Sequence, residues 1–424
     1  MSHDNLEADV LIVGGGLAGS TLAYALAQTP LTTVLVEARD PSQLEQPSFD
    51  GRATALANGS QRILASLGLW DQVAVDAEPI RAIHISERGR FGVARIRAEE
   101  EGVAALGYTL ENRILGGVLW QALDAVDGFR CLAPAVLSAL TVRDDRVEAE
   151  VQTVQERLSI IAKVVVAADG ANSPVRRKLA IAANEDCYEQ QAVILNCATE
   201  IPHAGRAFER FTQDGPLAFL PLSAGRVAVV WTLPHEEADR VVTLDKEVFR
   251  RELQAAFGYR LGRILRSGSR TAYPLVRVRS EAVIGQRAVL VGSAAVNLHP
   301  VAGQGFNLAL RDVASLAEIF TDQLHGQTLA CDPGAADVLG RYRQWRERDQ
   351  KKVAALTHGL VRLFGYGALP FAASRGIGLM AFDLLPGAKG ALVKQTMGLS
   401  GRLSRLARGL SLMPTGSRVE ANNE

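Results

Sequence analysis

Residues 8–19 read Ala8-Asp9-Val10-Leu11-Ile12-Val13-Gly14-Gly15-Gly16-Leu17-Ala18-Gly19. An apolar run ends directly on G-x-G-x-x-G. Residues 8–13 predict a buried strand, 17–28 a helix and 33–37 (Thr33-Val34-Leu35-Val36-Glu37) a second buried strand. Such a βαβ unit implies parallel strands and a right-handed crossover. Each motif glycine then has its own task. Gly14 permits the tight turn, Gly16 lets the backbone approach a pyrophosphate, and Gly19 lets the helix pack on the strand. The helix start offers free N–H groups and positive partial charge to the phosphates. Glu37 closes the second strand with a carboxylate for ribose hydroxyls, and Arg39 and Val136 join it as expected cofactor contacts. These residues predict a dinucleotide site without choosing the dinucleotide.

Two more apolar strands come much later, at 163–168 and 287–292, each followed by a glycine-containing polar turn. Between them, roughly 190–232 alternates in the manner of an antiparallel sheet with one covered face. The expected fold is therefore α/β: a Rossmann-like nucleotide domain from separated segments (1–75, 100–182, 268–335), an inserted mainly antiparallel β domain for substrate (76–99, 183–267) and a helical C-terminal region (336–424). Phe211, Phe219 and Trp231 alternate along the inserted sheet and are candidates for an apolar substrate pocket, with core packing as the competing reading.

Two later segments choose the cofactor. One is Asp169-Gly170-Ala171-Asn172-Ser173-Pro174-Val175-Arg176; the other runs Gly292-Ser293-Ala294-Ala295-Val296-Asn297-Leu298-His299-Pro300-Val301-Ala302-Gly303-Gln304-Gly305-Phe306-Asn307. With the first motif, over about residues 8–330, they resemble the class A flavoprotein monooxygenases, the aromatic-hydroxylase family. The resemblance implies FAD, with NADH or NADPH as a transient reductant and O2 as co-substrate. It implies oxygen transfer from a flavin C4a-hydroperoxide to an electron-rich phenol. Asp169, Ser293, Gly303, Gln304, Gly305 and Asn307 become cofactor contacts, and small residues at 303–305 would let a helix start sit against the flavin ring. Pro300 would lie beside the ring near the site of oxygen chemistry; His299 is either a catalytic base or a packing and hydrogen-bonding residue. Ser293 departs from the family, which usually has Asp there; a hydroxyl can still bond the ribityl chain without the charge.

Arg52, in Gly51-Arg52-Ala53-Thr54-Ala55-Leu56, matches the segment approaching the flavin, and Arg113, in Glu111-Asn112-Arg113, a cofactor-contacting one. Tyr273 is a further catalytic candidate, able to touch a phenol oxygen or simply to pack. Segments 51–60, 207–212 and 215–218 look like the ubiquinone-biosynthesis branch, which implies a prenylated phenol as substrate. A sibling hydroxylase acting at another ring position and a flavin-binding scaffold with little turnover are the competing readings.

The bulk numbers agree. With 46 basic and 46 acidic side chains the net charge is zero, which argues against nucleic acid as main partner. Cys131, Cys187, Cys197 and Cys331 have no metal-ligand spacing, and no groups here predict a metal. No secretory signal and no apolar run of about 18 residues is evident, so a cytoplasmic protein is expected. Residues 391–410 interleave Lys394, Arg402, Arg405 and Arg408 with leucines, as a basic amphipathic helix for an anionic membrane would. The bland reading packs that segment on the enzyme body or on a second subunit of a homo-oligomer.

Overall fold

A computed structural model describes residues 6–41, 52–299, 303–325, 331–364 and 386–413. The strand Leu6–Val13 lies at the centre of an eight-stranded sheet, parallel to Thr33–Val36 on one side and to Arg157–Ala167 on the other. Arg157–Ala167 in turn pairs in parallel with Ala288–Leu290. The expected α/β fold, with its parallel layer assembled from distant segments, is what forms. Both faces of that layer are covered. Val10 and Ile12 pack with the helix Leu17–Ala27 on one side, while Leu11 and Val13 pack on the other. This is why the strand reads as a continuous apolar run and not as an alternation. Val10, Leu11 and Ile12 are wholly buried, each burial worth about 1.5–3 kcal/mol.

The second layer is a nine-stranded, mostly antiparallel sheet. Its long strand Ala183–Thr199 pairs with Arg226–Pro234 and Thr271–Ser280, and the order continues through Pro216–Pro221 and Arg206–Phe211 to Ala82–Glu87. Thr271–Ser280 thus carries this sheet beyond the boundary expected at 268. The helices His235–Thr243 and Lys246–Phe257 cover one face. The short strand Ala53–Ala57 pairs with Gly107–Glu111 between the two layers.

The C-terminal region is helical, but 391–410 is not one helix. The helix is Pro386–Thr396, and the chain then turns and forms a short 3-10 turn at Leu406–Arg408. Two of its cations face acids of the enzyme body: Lys389 pairs with Glu100 at 3.0 Å, and Arg405 pairs with Asp322. Arg402 stacks 3.8 Å over the Trp345 ring. Leu406 and Ala407 are buried in the main core, and Val393 and Met397 pack with Ile96 and Leu106. The expected single amphipathic helix is therefore corrected to a helix and a turn folded onto the enzyme's own body. Among the described residues no helix is long and apolar enough to cross a membrane, and no cluster of His, Cys, Asp or Glu could hold a metal.

Candidate active site

The phosphate loop is held by contacts that admit no side chain. Gly14 has φ +105°, and a Cβ there would lie 2.5 Å from the Ala168 carbonyl oxygen. A Cβ on Gly19 would lie 1.8 Å from the Gly14 carbonyl oxygen. Gly16 caps the helix Leu17–Ala27 without any side-chain hydrogen bond, leaving the first-turn N–H groups uncapped. Glu37 reaches back to accept from the Gly15 N–H, and its other oxygen accepts from the Arg39 N–H at 2.9 Å. The Arg39 side chain is exposed. Ala135 donates its N–H to the Glu37 carbonyl at 2.7 Å, so Val136, exposed, begins beside the same strand end.

The second motif is a local knot. Asp169 accepts from the Val175 N–H at 2.9 Å, and Ser173 caps the short helix Pro174–Lys178 by accepting from the Arg176 N–H at 2.9 Å. The other Asp169 oxygen is buried with no hydrogen-bond partner among the described residues, and burial pushes this carboxyl above the usual range. The buried Arg176 donates to the Ala294 carbonyl at 3.0 Å, tying the second motif to the third. Sequence reasoning gave Arg176 no such part.

In the third motif Ser293 is exposed within the turn Gly292–Ala294. Gly303 takes φ +59° as the N-cap of the helix Gln304–Asp322, against Ala55. Asn307 corrects an expectation. Its carbonyl accepts from the Ala57 N–H and the Ser60 hydroxyl, and its amide donates to the Ala55 and Gly303 carbonyls, all at 2.7 Å. Those four bonds use the whole capacity of the side chain, so Asn307 staples the strand Ala53–Ala57 to the helix start and has none left for a cofactor. Pro300 lies outside the described residues.

A mostly apolar cavity of about 850 Å³ opens between the two layers. Gly303–Asn307 and Arg52–Ala57 border it on the nucleotide side, and the nine-stranded sheet on the other. Arg52 lies 4.9 Å over the ring of Tyr273, and both line the cavity. His299 lines it too, buried and edge-on to Tyr188 at 5.1 Å. Burial pushes the His299 imidazole down to about 4, which leaves it neutral near pH 7 and favours packing over a base's task. Arg113 sits on the helix Asn112–Asp124, half-exposed, and bonds the buried Glu111 at 2.9 Å; Arg226 shares that carboxylate at 3.3 Å.

Of the three aromatic candidates only Phe211 borders the cavity. Phe219 stacks on Phe257 at 3.7 Å, and Trp231 tilts against Phe249, so both belong to the opposite, helix-covered face. Their neighbours Ala218, Leu220, Val230 and Thr232 face the cavity instead. The reason is that both faces of the sheet are covered. Large rings fill the helix interface, and smaller residues leave the cavity open.

The glycine contacts and the uncapped helix start fit a dinucleotide's phosphates, the orphaned Asp169 oxygen fits a hydroxyl donor, and the cavity fits a ring system beside Gly303. Comparison with known proteins decides which dinucleotide. A family model described as an FAD binding domain matches residues 7–355. The chain belongs to this family, the class A flavin hydroxylases. It is an FAD-dependent monooxygenase. The chain is 37% identical over 409 residues to the ubiquinone hydroxylase UbiL of Rhodospirillum rubrum, covering 96% of this chain and 94% of that one. It is 32% identical to the 3-demethoxyubiquinol 3-hydroxylase of Escherichia coli, over 93% of this chain and all of that one. Among solved structures, the p-nitrophenol 4-monooxygenase PnpA of Pseudomonas putida shares the fold with a TM-score of 0.77 at 18% identity, covering 94% of this chain and 99% of that one.

Proposed function

We propose that this flavin monooxygenase serves ubiquinone biosynthesis, hydroxylating the ring of a 2-polyprenyl-6-methoxyphenol para to the phenol oxygen with NADH or NADPH and O2. The observation that carries the reading is the large apolar cavity beside Gly303, roomy enough for a substituted phenol and part of a prenyl chain. The names of the relatives at 37% and 32% identity support the same pathway.

Gly14, Gly16 and Gly19 would hold the FAD pyrophosphate, Glu37 the ribose, and Asp169 and Ser293 the middle of the cofactor. Bound FAD, reduced by the nicotinamide, supplies the activation of O2. The chain's own residues do the remainder. Gly303 and Gly305 allow close approach at the helix start, and Arg52, braced on Tyr273, brings a positive charge to the cavity. The sheet and the helix Pro386–Thr396 supply apolar walls against which the ring would be held.

The test is purified holoenzyme with a short-chain prenyl methoxyphenol, the product identified by mass spectrometry. Phenol-stimulated NAD(P)H oxidation with a para-hydroxylated product is expected, and no stimulated turnover would overturn the reading. A second reading, hydroxylation at another ring position, is favoured by the demethoxyubiquinol hydroxylase among the relatives. The same mass spectrum distinguishes the two.

A further inference from the structure

Among the described residues, Glu209 is the acid that borders the cavity. On the strand Arg206–Phe211, side chains two apart share a face, and Ala207, Glu209 and Phe211 border the cavity. Glu209 faces Ala218 across one neighbouring strand and Ile85 across the other, both apolar and both bordering the cavity. Among the described residues it has no hydrogen-bond or ion-pair partner. A carboxylate left unpaired in an apolar cavity costs stability, so a fold that retains one is using it or paying a penalty.

The other titratable groups bordering the cavity are Arg52, Tyr273 and His299. Arg52 is stacked on Tyr273. His299 is held neutral and weakly basic by burial. The strands flanking Glu209 and the helix Pro386–Thr396 bring only uncharged side chains to the cavity. Burial alone pushes the Glu209 carboxyl up to about 7, where a general base works best near neutral pH.

We propose that Glu209 is the proton acceptor for the phenol hydroxyl of the substrate, a proposal that rests on the phenol reading given above. The phenol O–H bond breaks, its electron pair stays on the ring oxygen, and the proton joins a Glu209 oxygen. Nothing is oxidised or reduced in this step, and one negative charge passes from carboxylate to phenolate. The phenolate donates more strongly to its para carbon, where oxygen transfer occurs. As the ring loses its para hydrogen to water, Glu209 returns its proton to the ring oxygen, and the carboxylate is restored.

The experiment compares native holoenzyme with Glu209→Gln and Glu209→Asp, using 2-methoxy-6-(3-methylbut-2-enyl)phenol. Native product formation should rise with pH and level off near about 7. Glu209→Gln should keep its FAD and melt no lower than native yet form hydroxylated product about a hundredfold more slowly, without that pH limb, and release hydrogen peroxide instead. Glu209→Asp should keep a limb at reduced rate. In oxidised native holoenzyme, the absorbance of bound phenol should change to that of phenolate over the same pH range. Glu209→Gln with native product yield and an unchanged limb overturns the proposal. Should that variant not fold, a native enzyme whose bound phenol shows no ionisation between about pH 6 and about pH 8 overturns it as well. Native enzyme with no phenol-stimulated turnover removes the functional reading, and the base with it. Native turnover combined with an unaffected Glu209→Gln removes the base alone.

Discussion

A methyl group on Gly19 would sit 1.8 Å from the carbonyl oxygen of Gly14, so the strand end and the helix start touch backbone to backbone. Gly305 differs, because a Cβ there meets no atom within 4 Å among the described residues beyond its own turn of helix. Gly19→Ala is therefore expected to yield protein without FAD or no soluble protein. Gly305→Ala is expected to fold with native stability and to change only flavin affinity or flavin fluorescence. Thermal melts with and without added FAD separate the two outcomes.

The two faces of the nine-stranded sheet predict opposite phenotypes. Phe219→Ala empties a fully buried site against Phe257 and should cost about 3–5 kcal/mol by denaturant titration, with KM for the phenol little changed. Phe211→Ala, on the cavity face, should raise KM or uncouple the enzyme with a smaller loss of stability. Equal effects from both would contradict the assignment of faces.

Removing the Asn307 amide leaves Ala57 N–H, the Ser60 hydroxyl and the Ala55 and Gly303 carbonyls without their partner. At about 1–3 kcal/mol for each buried group left unsatisfied, Asn307→Leu should destabilise even the apoprotein. A residue that only contacted FAD would leave the apoprotein's melting temperature alone, so the apoprotein melt is the decisive measurement.

Acid should weaken the fold through two histidines. Burial pushes His299 to about 4, and burial together with Arg260, Arg95, Arg206 and Arg210 pushes His84 to about 4. The unfolded chain takes up protons near the ordinary value of about 6.5 while the folded chain does not. Their contribution to stability is therefore complete above that value and is lost as pH falls toward about 4. Glu209 has the opposite sign, since its folded value is raised to about 7: its contribution is complete in acid and is lost as pH rises through that value. Denaturant midpoints of His84→Gln and Glu209→Gln against pH should each lack the corresponding slope.

An ion pair between Arg346 and Asp312, both buried, spans 2.6 Å and joins the helix Gln304–Asp322 to Ala336–Phe364. Arg346→Ala would leave the buried Asp312 without its main partner, and should cost about 3–5 kcal/mol by equilibrium unfolding.

The nucleotide side of the site was legible because its signals are local. Gly14, Gly19 and Gly303 announce turns and close approaches that depend on a few neighbouring residues. The facing of Phe219 and Trp231 was not legible, because a sheet covered on both sides is apolar on both, and alternation cannot say which face meets helices. Glu209 was not legible as a cavity residue, because only the pairing of its strand with Pro216–Pro221 and Ala82–Glu87 brings it there. The break in the tail's helix was not legible for a related reason: Lys389 meets Glu100 and Arg405 meets Asp322, partners far away in the chain.

The helix Pro386–Thr396, which walls the cavity with Leu392, Val393 and Thr396, bears on how the enzyme is born. The phosphate loop and both later flavin motifs have left the ribosome well before this helix is made. A nascent chain can therefore assemble the cofactor's binding surface while the compartment for its organic substrate still lacks a side. Stalled or C-terminally clipped molecules would carry flavin in an open cleft, consuming reductant and oxygen without a ring held in place to receive the product of that chemistry.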